Sequence, residues 1–229
     1  TVQWLAEAGS TNDIARSFEG KGNTLIISDL QLSGRGQAGR VWQSPTGNLY
    51  LSLLAGLHHP VSGRLALEVA LALANIPMLA GIHNIQIKWP NDLYYQQENG
   101  RQCKWGGILI EPLHQNQVVI GVGINLVPMQ EQVSDQYVAD LSSIVGKPVD
   151  RYELAYQVTQ ALFHACEHFD HGSMQLPTRF AAFDALLEQQ VVITQAGQPD
   201  IQGEALGIQA DGALIVSDTE KQHIIYSGH

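Results

Sequence analysis

The stretch IQIKWPNDLYYQQENGRQCKWGGILIE, residues 85–111, carries the strand and turn signals that decide the fold. Ile85-Gln86-Ile87-Lys88-Trp89 alternates with period two, the signature of a half-buried strand, and Lys88 falls on the face away from the isoleucines. Pro90 stops that strand, because its ring fixes φ and it has no N–H to give a ladder. Asn99-Gly100 is a hairpin signal between Leu93-Tyr94-Tyr95 and the strand Lys104–Glu111.

Upstream, Leu49–Leu54 and Thr24–Asp29 read as strands, separated by a polar, glycine-rich loop over Gly34–Asn48. Arg64–Leu79 is apolar almost all round and reads as a core helix. Ser10–Phe18 reads as the first turns of a helix, with Ser10 and Asp13 at capping-box spacing. Downstream, Val118–Leu126 is a strand in which Gly121 and Gly123 permit close approach of another group. Arg151–Phe169 is an amphipathic helix and Thr178–Leu187 a shorter one. After Gln190 the pattern becomes short strands, at about Val191–Thr194, Gly203–Gly207, Ala213–Val216 and His223–Tyr226, as in a small barrel. A boundary near Glu188 follows, giving 1–187 as the larger domain and 188–229 as a small C-terminal one.

The 229 residues suit one or two domains, and 45% hydrophobic with 15% charged residues is a globular composition. Twelve Lys+Arg against 22 Asp+Glu leave a net charge of −10. Such a chain is a poor general binder of nucleic acid or anionic membrane, although a local basic cluster can still hold an anion. The uncharged run Val69–Ile87 contains Asn75, Pro77, His83 and Asn84 and reads as a buried helix and strand, not a membrane span. Glu7 and Asp13 interrupt any signal-peptide pattern. Cys103 and Cys166 form no C-x-x-C pair, so reduced thiols in the cytoplasm are expected.

Gly34-Arg35-Gly36-Gln37-Ala38-Gly39 satisfies G-x-G-x-x-G, but no helix start follows and no acid lies where a dinucleotide site needs one. The kinase reading fails for want of H-R-D and D-F-G. What remains is an amide-rich loop flanked by Arg35 and Arg40, suited to a carboxylate or phosphate, or else a solvated surface loop. Lys88-Trp89-Pro90-Asn91-Asp92 offers a cation, an aromatic plane and two oxygen ligands of the kind Mg²⁺ prefers; an ordinary strand-to-turn boundary reads the same. Lys104 begins an otherwise apolar strand, with Gly106 and Gly107 leaving room beside it; it meets an anion there or simply ends the strand at the surface. His164, His168 and His171 share a helix face opposite Leu154, Val158 and Leu162 and read as solvated.

In this order, Ser10-Thr11-Asn12, Gly34–Trp42, Lys88–Asp92, Lys104–Glu111 and Gly121-Val122-Gly123-Ile124-Asn125 resemble the biotin protein ligases over nearly the whole chain. The resemblance implies an α+β fold: a central mixed β-sheet flanked by helices, like class II aminoacyl-tRNA synthetases and lipoate ligases, with a small SH3-like barrel at the C-terminus. It implies ATP, Mg²⁺ and biotin as the reactants, biotinyl-5′-AMP as intermediate, and a lysine of a biotin carboxyl carrier domain as acceptor. Ser10, Thr11, Asn12 and Gln31 would bind the biotin head group, with Arg35, Gly36 and Gln37 closing over its carboxylate and Gly107 also in the biotin site. Lys104, Arg35 and Asp92 would be catalytic. Arg40 and Lys88 would neutralise triphosphate, Trp42 would pack on adenine, Asn125 would bond the nucleotide, and Asn91 and Asp92 would lie near Mg²⁺. A lipoate or octanoate ligase and a non-catalytic biotin sensor are the competing readings.

Two departures from the family pattern carry expectations. Gln37 stands where the family loop usually has a second Arg, which predicts faster release of the adenylate. The sequence stops at Gly228-His229, where family members usually add one more short strand. Only nine residues precede Ser10, so a form without the N-terminal DNA-binding domain, not binding operator DNA, is expected. Dimerisation through sheet edges is common in the family, and nothing in the sequence decides it.

Overall fold

The computed structural model describes residues 1–128, 137–195 and 197–228; His229, the last position of the expected C-terminal domain, lies outside them. Strand β1 (Val2–Leu5) leads through helix α1 (Thr11–Arg16) to β2 (Thr24–Ser28) and β3 (Leu49–Gly56). Helix α2 (Arg64–Ala74) and a 3-10 turn at Pro77–Leu79 precede β4 (Ile85–Lys88), β5 (Asp92–Gln96), β6 (Gln102–Pro112) and β7 (Gln117–Ile124). Helices α3 (Leu141–Val145), α4 (Arg151–Asp170) and α5 (Leu176–Ala181) follow, and then β8 (Gln190–Ile193), β9 (Ile201–Ile208), β10 (Leu214–Ser217) and β11 (Gln222–Ile225).

The first seven strands form one sheet in the order β1-β2-β3-β7-β6-β5-β4. Only β1 and β2 pair in parallel, α1 supplying the crossover, so the sheet is mixed as expected. The last four strands make a separate antiparallel sheet, β11-β10-β9-β8.

The two faces of the large sheet bury different amounts. Leu49, Leu51 and Leu53 of β3 and Ile108 of β6 point to the side covered by α2 and α4, where they join the main core with Leu65, Leu73, Leu154, Val158 and Phe169. That core runs on into Ala205, Leu214 and Val216 of the small sheet. Under α1 the opposite face holds only a small cluster, Ala15, Ile26, Leu54 and Val119. The rest of that face is left for polar groups and a cavity.

Several local expectations change. The Arg64–Leu79 helix stops at Ala74, where Asn75 breaks from helical geometry and Pro77 starts the 3-10 turn. Strand β1 and helix α3 carry too little pattern to read; Trp4 anchors β1 by bonding Asp29, stacking on Tyr152 and lying under Arg151. The Ser10–Asp13 capping box does not form. Ser10 makes no side-chain cap bond, and the Asp13 carboxylate, the other half of the box, is taken by Arg35.

Candidate active site

A cavity of about 530 Å³ opens on the thinly covered face, floored by β6 and β7 and roofed by the glycine loop. The floor depends on register. In the β5–β6 pairing, Leu93 faces Gly106 but Tyr94 faces Lys104, so Trp105 is an extra residue, a β-bulge. The bulge resets the alternation: Lys104 comes to the same side as Gly107 and Asp92 while Trp105 is fully buried. Lys104 Nζ then lies 2.7 Å from Asp92 Oδ2 and 5.2 Å from the Trp42 ring centroid.

The glycines of the floor take the place of side chains that would fill it. Gly107 and Gly123 are direct cross-strand partners, and the Trp42 indole lies on both. A Cβ on Gly123 would sit 2.7 Å from the indole, and one on Gly107 3.0 Å from it. Two residues along, a Cβ on Gly121 would overlap Asn12 Oδ1. The Trp42 indole nitrogen is buried without a partner, a donor available to a ligand.

The roof folds back on itself. Arg35 bridges Val41, Gly36 N–H donates to Arg40 O at 2.7 Å, and a 3-10 turn spans Gln37–Gly39. No long helix follows, in keeping with the rejected dinucleotide reading. A Cβ at Gly34 would meet Ser44 Oγ at 2.5 Å and Trp42 O at 2.6 Å, so only glycine fits the base of the loop.

At the far end a chain of polar groups lies in the wall. Gln31 Oε1 accepts from the Thr11 N–H at 2.8 Å and its hydroxyl at 3.0 Å, and Gln31 Nε2 donates to Ser44. Ser52 Oγ lies 2.7 Å from Thr11 Oγ1 and 2.6 Å from Asn12 Oδ1, to which it donates. Asn12 Nδ2 donates to Glu111 at 2.8 Å. Glu111 also meets Arg35, which forms a fork with Asp13 (2.8 and 2.6 Å). The Arg35 bond holds the Asp13 carboxyl below the usual range, and the same bond pushes Arg35 higher still.

Ser10, Thr11, Asn12, Gln31, Arg35, Gly36, Gln37, Arg40, Trp42, Asn91, Asp92, Lys104, Gly107 and Asn125 all line this one cavity. Lys88 does not: it ends β4 with its Nζ 5.8 Å from the Tyr94 ring centroid. Asn125 spends its nitrogen on Ala139 O and Lys104 O, and Asn91 on Ile108 O, so each has its oxygen left for a ligand. Among the described residues no cluster of three or more His, Cys, Asp or Glu side chains could cage a metal. One carboxylate and one amide oxygen fit a Mg²⁺ ion that takes most of its shell from phosphates and water. His164 and His168 are exposed on α4, and His171 is exposed just past its end. Glu111, Ser52 and Asp13 are site residues to which sequence reasoning gave no role. The signals were there in Ser52, the one small polar residue of LYLSLL, and Glu111, the lone acid closing an apolar strand.

A deep site with three cations, Arg35, Arg40 and Lys104, on a chain of charge −10 defines a protein built to hold small anionic molecules. The sequence matches the Biotin/lipoate A/B protein ligase family over residues 9–125 and the Biotin protein ligase C terminal domain over 186–229. The bifunctional ligase/repressor BirA of Escherichia coli is 33% identical over 228 residues, covering 94% of this chain and 69% of its own length. The solved biotin protein ligase of Aquifex aeolicus in complex with biotin and ATP matches with a TM-score of 0.85 at 26% identity, over 100% of this chain and 96% of that one. The Leishmania major biotin protein ligase in complex with biotinyl-5-AMP has the same fold, with a TM-score of 0.69 at 24% identity over 99% of both chains. The chain belongs to the biotin/lipoate A/B protein ligase family.

Proposed function

We propose that this chain is an ATP-dependent biotin protein ligase, which activates biotin as biotinyl-5′-AMP and transfers it to a lysine of a biotin carboxyl carrier domain. The observation that carries the reading is the pairing of Lys104 with Asp92 beside Trp42, at the floor of a cavity whose other end is a neutral hydrogen-bonding wall. A polar but uncharged head group suits Thr11, Gln31 and Asn12; a carboxylate and phosphates suit Lys104, Arg35 and Arg40.

In the first step a biotin carboxylate oxygen attacks the α-phosphorus and pyrophosphate leaves. Two anions must meet, so the chain's task is charge neutralisation and in-line positioning, with no protein nucleophile. Lys104 binds the carboxylate and the transferred phosphoryl oxygen, Arg35 closes from the loop, and Arg40 meets the phosphates. Mg²⁺, held by nucleotide oxygens with Asp92 and Asn91 nearby, screens phosphate charge when bound. The Trp42 indole offers a face for adenine, and Asn125 an oxygen for the nucleotide.

In the second step the acceptor lysine ammonium first gives up a proton; the neutral amine then attacks the acyl carbon, AMP leaves, and the nitrogen loses a second proton as the amide forms. A free lysine titrates near ~10.4, so its amine needs help at pH 7. Asp92 receives or orients the first proton once Lys104 turns to the adenylate. Residues 1–187 form the catalytic unit of this reading and 188–229 the C-terminal unit. The unpaired, buried Cys103 and Cys166 suit a cytoplasmic enzyme. Among the described residues no helix is long and apolar enough to cross a membrane.

ATP–pyrophosphate exchange with biotin, lipoate or no acid tests the reading. Biotin-dependent exchange is expected, followed by labelling of a carrier-domain lysine. Exchange with lipoate alone would move the substrate. Biotin binding without exchange would replace the enzyme with a sensor.

A further inference from the structure

Glu111, near the end of β6, collects three donors from two parts of the chain: from α1, Asn12 Nδ2 at 2.8 Å and Arg16 Nη2 at 3.3 Å, and from the glycine loop, Arg35 Nη2 at 3.1 Å. We propose that Glu111 is a positioning residue of this site, coupling the head-group wall at Asn12 to the loop at Arg35 through one carboxylate. The proposal rests on the biotin ligase reading above.

The coupling follows from what each partner has left. An ionised carboxylate only accepts, so Glu111 fixes the nitrogen end of the Asn12 amide, and Ser52 satisfies the oxygen end at 2.6 Å. The amide cannot flip without losing both bonds, and it lies flat against the bare backbone of Gly121. Arg35 is held by two acids that differ in exposure. The Asp13 side chain is 55% exposed and that of Glu111 18%. Water screens the Asp13 fork, so a substrate carboxylate entering the cavity displaces Asp13 first. Glu111, better shielded, keeps its hold on Nη2, which it shares with Asp13, while the Asp13 fork on Nη1 and Nη2 changes partner. The two acids on one guanidinium thus act oppositely: Asp13 competes with the substrate acid, and Glu111 holds the arginine for it.

The test compares Glu111→Gln and Asp13→Asn with the parent in ATP–pyrophosphate exchange, varying biotin and ATP separately and recording melting temperatures. Loss of a bond to a charged group predicts a KM for biotin raised roughly tenfold or more in Glu111→Gln, with the KM for ATP and the melting temperature unmoved. Asp13→Asn is expected to have a KM for biotin at or below the parent value. Parent-like biotin KM in Glu111→Gln overturns the proposal. So does a parallel rise for biotin and ATP with a lowered melting temperature, which marks a merely structural acid. An equal rise in both variants overturns the opposed roles. If Glu111→Gln fails to fold, Glu111→Asp is read in its place and is expected to raise the biotin KM alone. A parent enzyme without exchange for any acid fails the proposed function first, and this proposal with it; should lipoate support exchange, its KM takes the place of biotin's.

Discussion

Lys104 Nζ and Asp92 Oδ2 stand 2.7 Å apart because a single extra residue, Trp105, bulges out of β6. Without that bulge the alternation would set Lys104 and Gly107 on opposite faces. Replacing Lys104 with Gln is expected to lower biotin-dependent exchange by ~10²-fold or more, the scale of losing one charge-stabilising group in a closed site. Asp92→Asn should spare exchange more than carrier labelling. If both steps run at parent rates in Asp92→Asn, Asp92 has no part in handling the acceptor proton.

Gly121 and Gly123 lie two residues apart on one strand yet face different side chains, Asn12 and Trp42. Gly123→Ala drives a methyl into the Trp42 indole and should raise the KM for ATP. Gly121→Ala pushes Asn12 off its bonds to Ser52 and Glu111 and should raise the KM for biotin. Initial-rate kinetics with each substrate varied in turn would show the split; identical patterns would mean that the two ends of the cavity are not separate subsites.

Gln37 lines the cavity as a neutral side chain of the loop that carries Arg35 and Arg40. Gln37→Arg is expected to slow release of biotinyl-5′-AMP, by adding a cation beside its phosphate. Equal release rates in a chase with unlabelled biotin would refute this.

Behind the sheet, Arg179 forks onto Glu68, whose side chain is 1% exposed. Arg179→Met leaves a buried carboxylate without its partner and should cost ~3 kcal/mol, the low end for such a break because Arg179 keeps some solvent contact. Urea melts would report the loss, while the KM values stay at parent levels.

Burial raises the Asp184 carboxyl, whose Oδ2 is sealed without a partner. An acid with its folded pKa raised costs stability above that pKa. As pH falls through it the folded state takes up the proton first, and the cost disappears. Asp184→Asn should therefore melt above the parent at pH 7, with the gap closing towards pH 4. A gap independent of pH would assign the effect elsewhere.

The strands and the catalytic stretches were legible because their signals are local. Alternation at Ile85–Lys88, the Asn99-Gly100 turn and the glycines of β6 and β7 each need only a few neighbours to be read. The glycines announced that something approaches closely, but not what. Trp42 and Asn12 come from far upstream, and only the register of β3, β7 and β6 brings them there. The bulge at Trp105 was hidden for the same reason, since the run Gly106–Ile110 is apolar throughout and shows no alternation whose break would mark it. Ser10 and Asp13 read as a helix cap, yet a tertiary partner displaces the local one: Arg35, from the glycine loop, takes the Asp13 carboxylate. Lys88 was grouped with Asn91 and Asp92 by adjacency, whereas the strand end leaves it outside the cavity wall.

Trp89 is buried between two parts of the chain that are distant in sequence. Its indole N–H donates to Gly212 O, in the turn between β9 and β10, at 3.0 Å. That turn rests in addition on Leu67 and the backbone of Arg64. Two and three residues beyond Trp89 stand Asn91 and Asp92, facing the cavity. The small sheet and the wall that carries Asp92 are thus joined through one indole: Trp89 holds the β9–β10 turn, and the chain runs straight on from it to the acid beside Lys104.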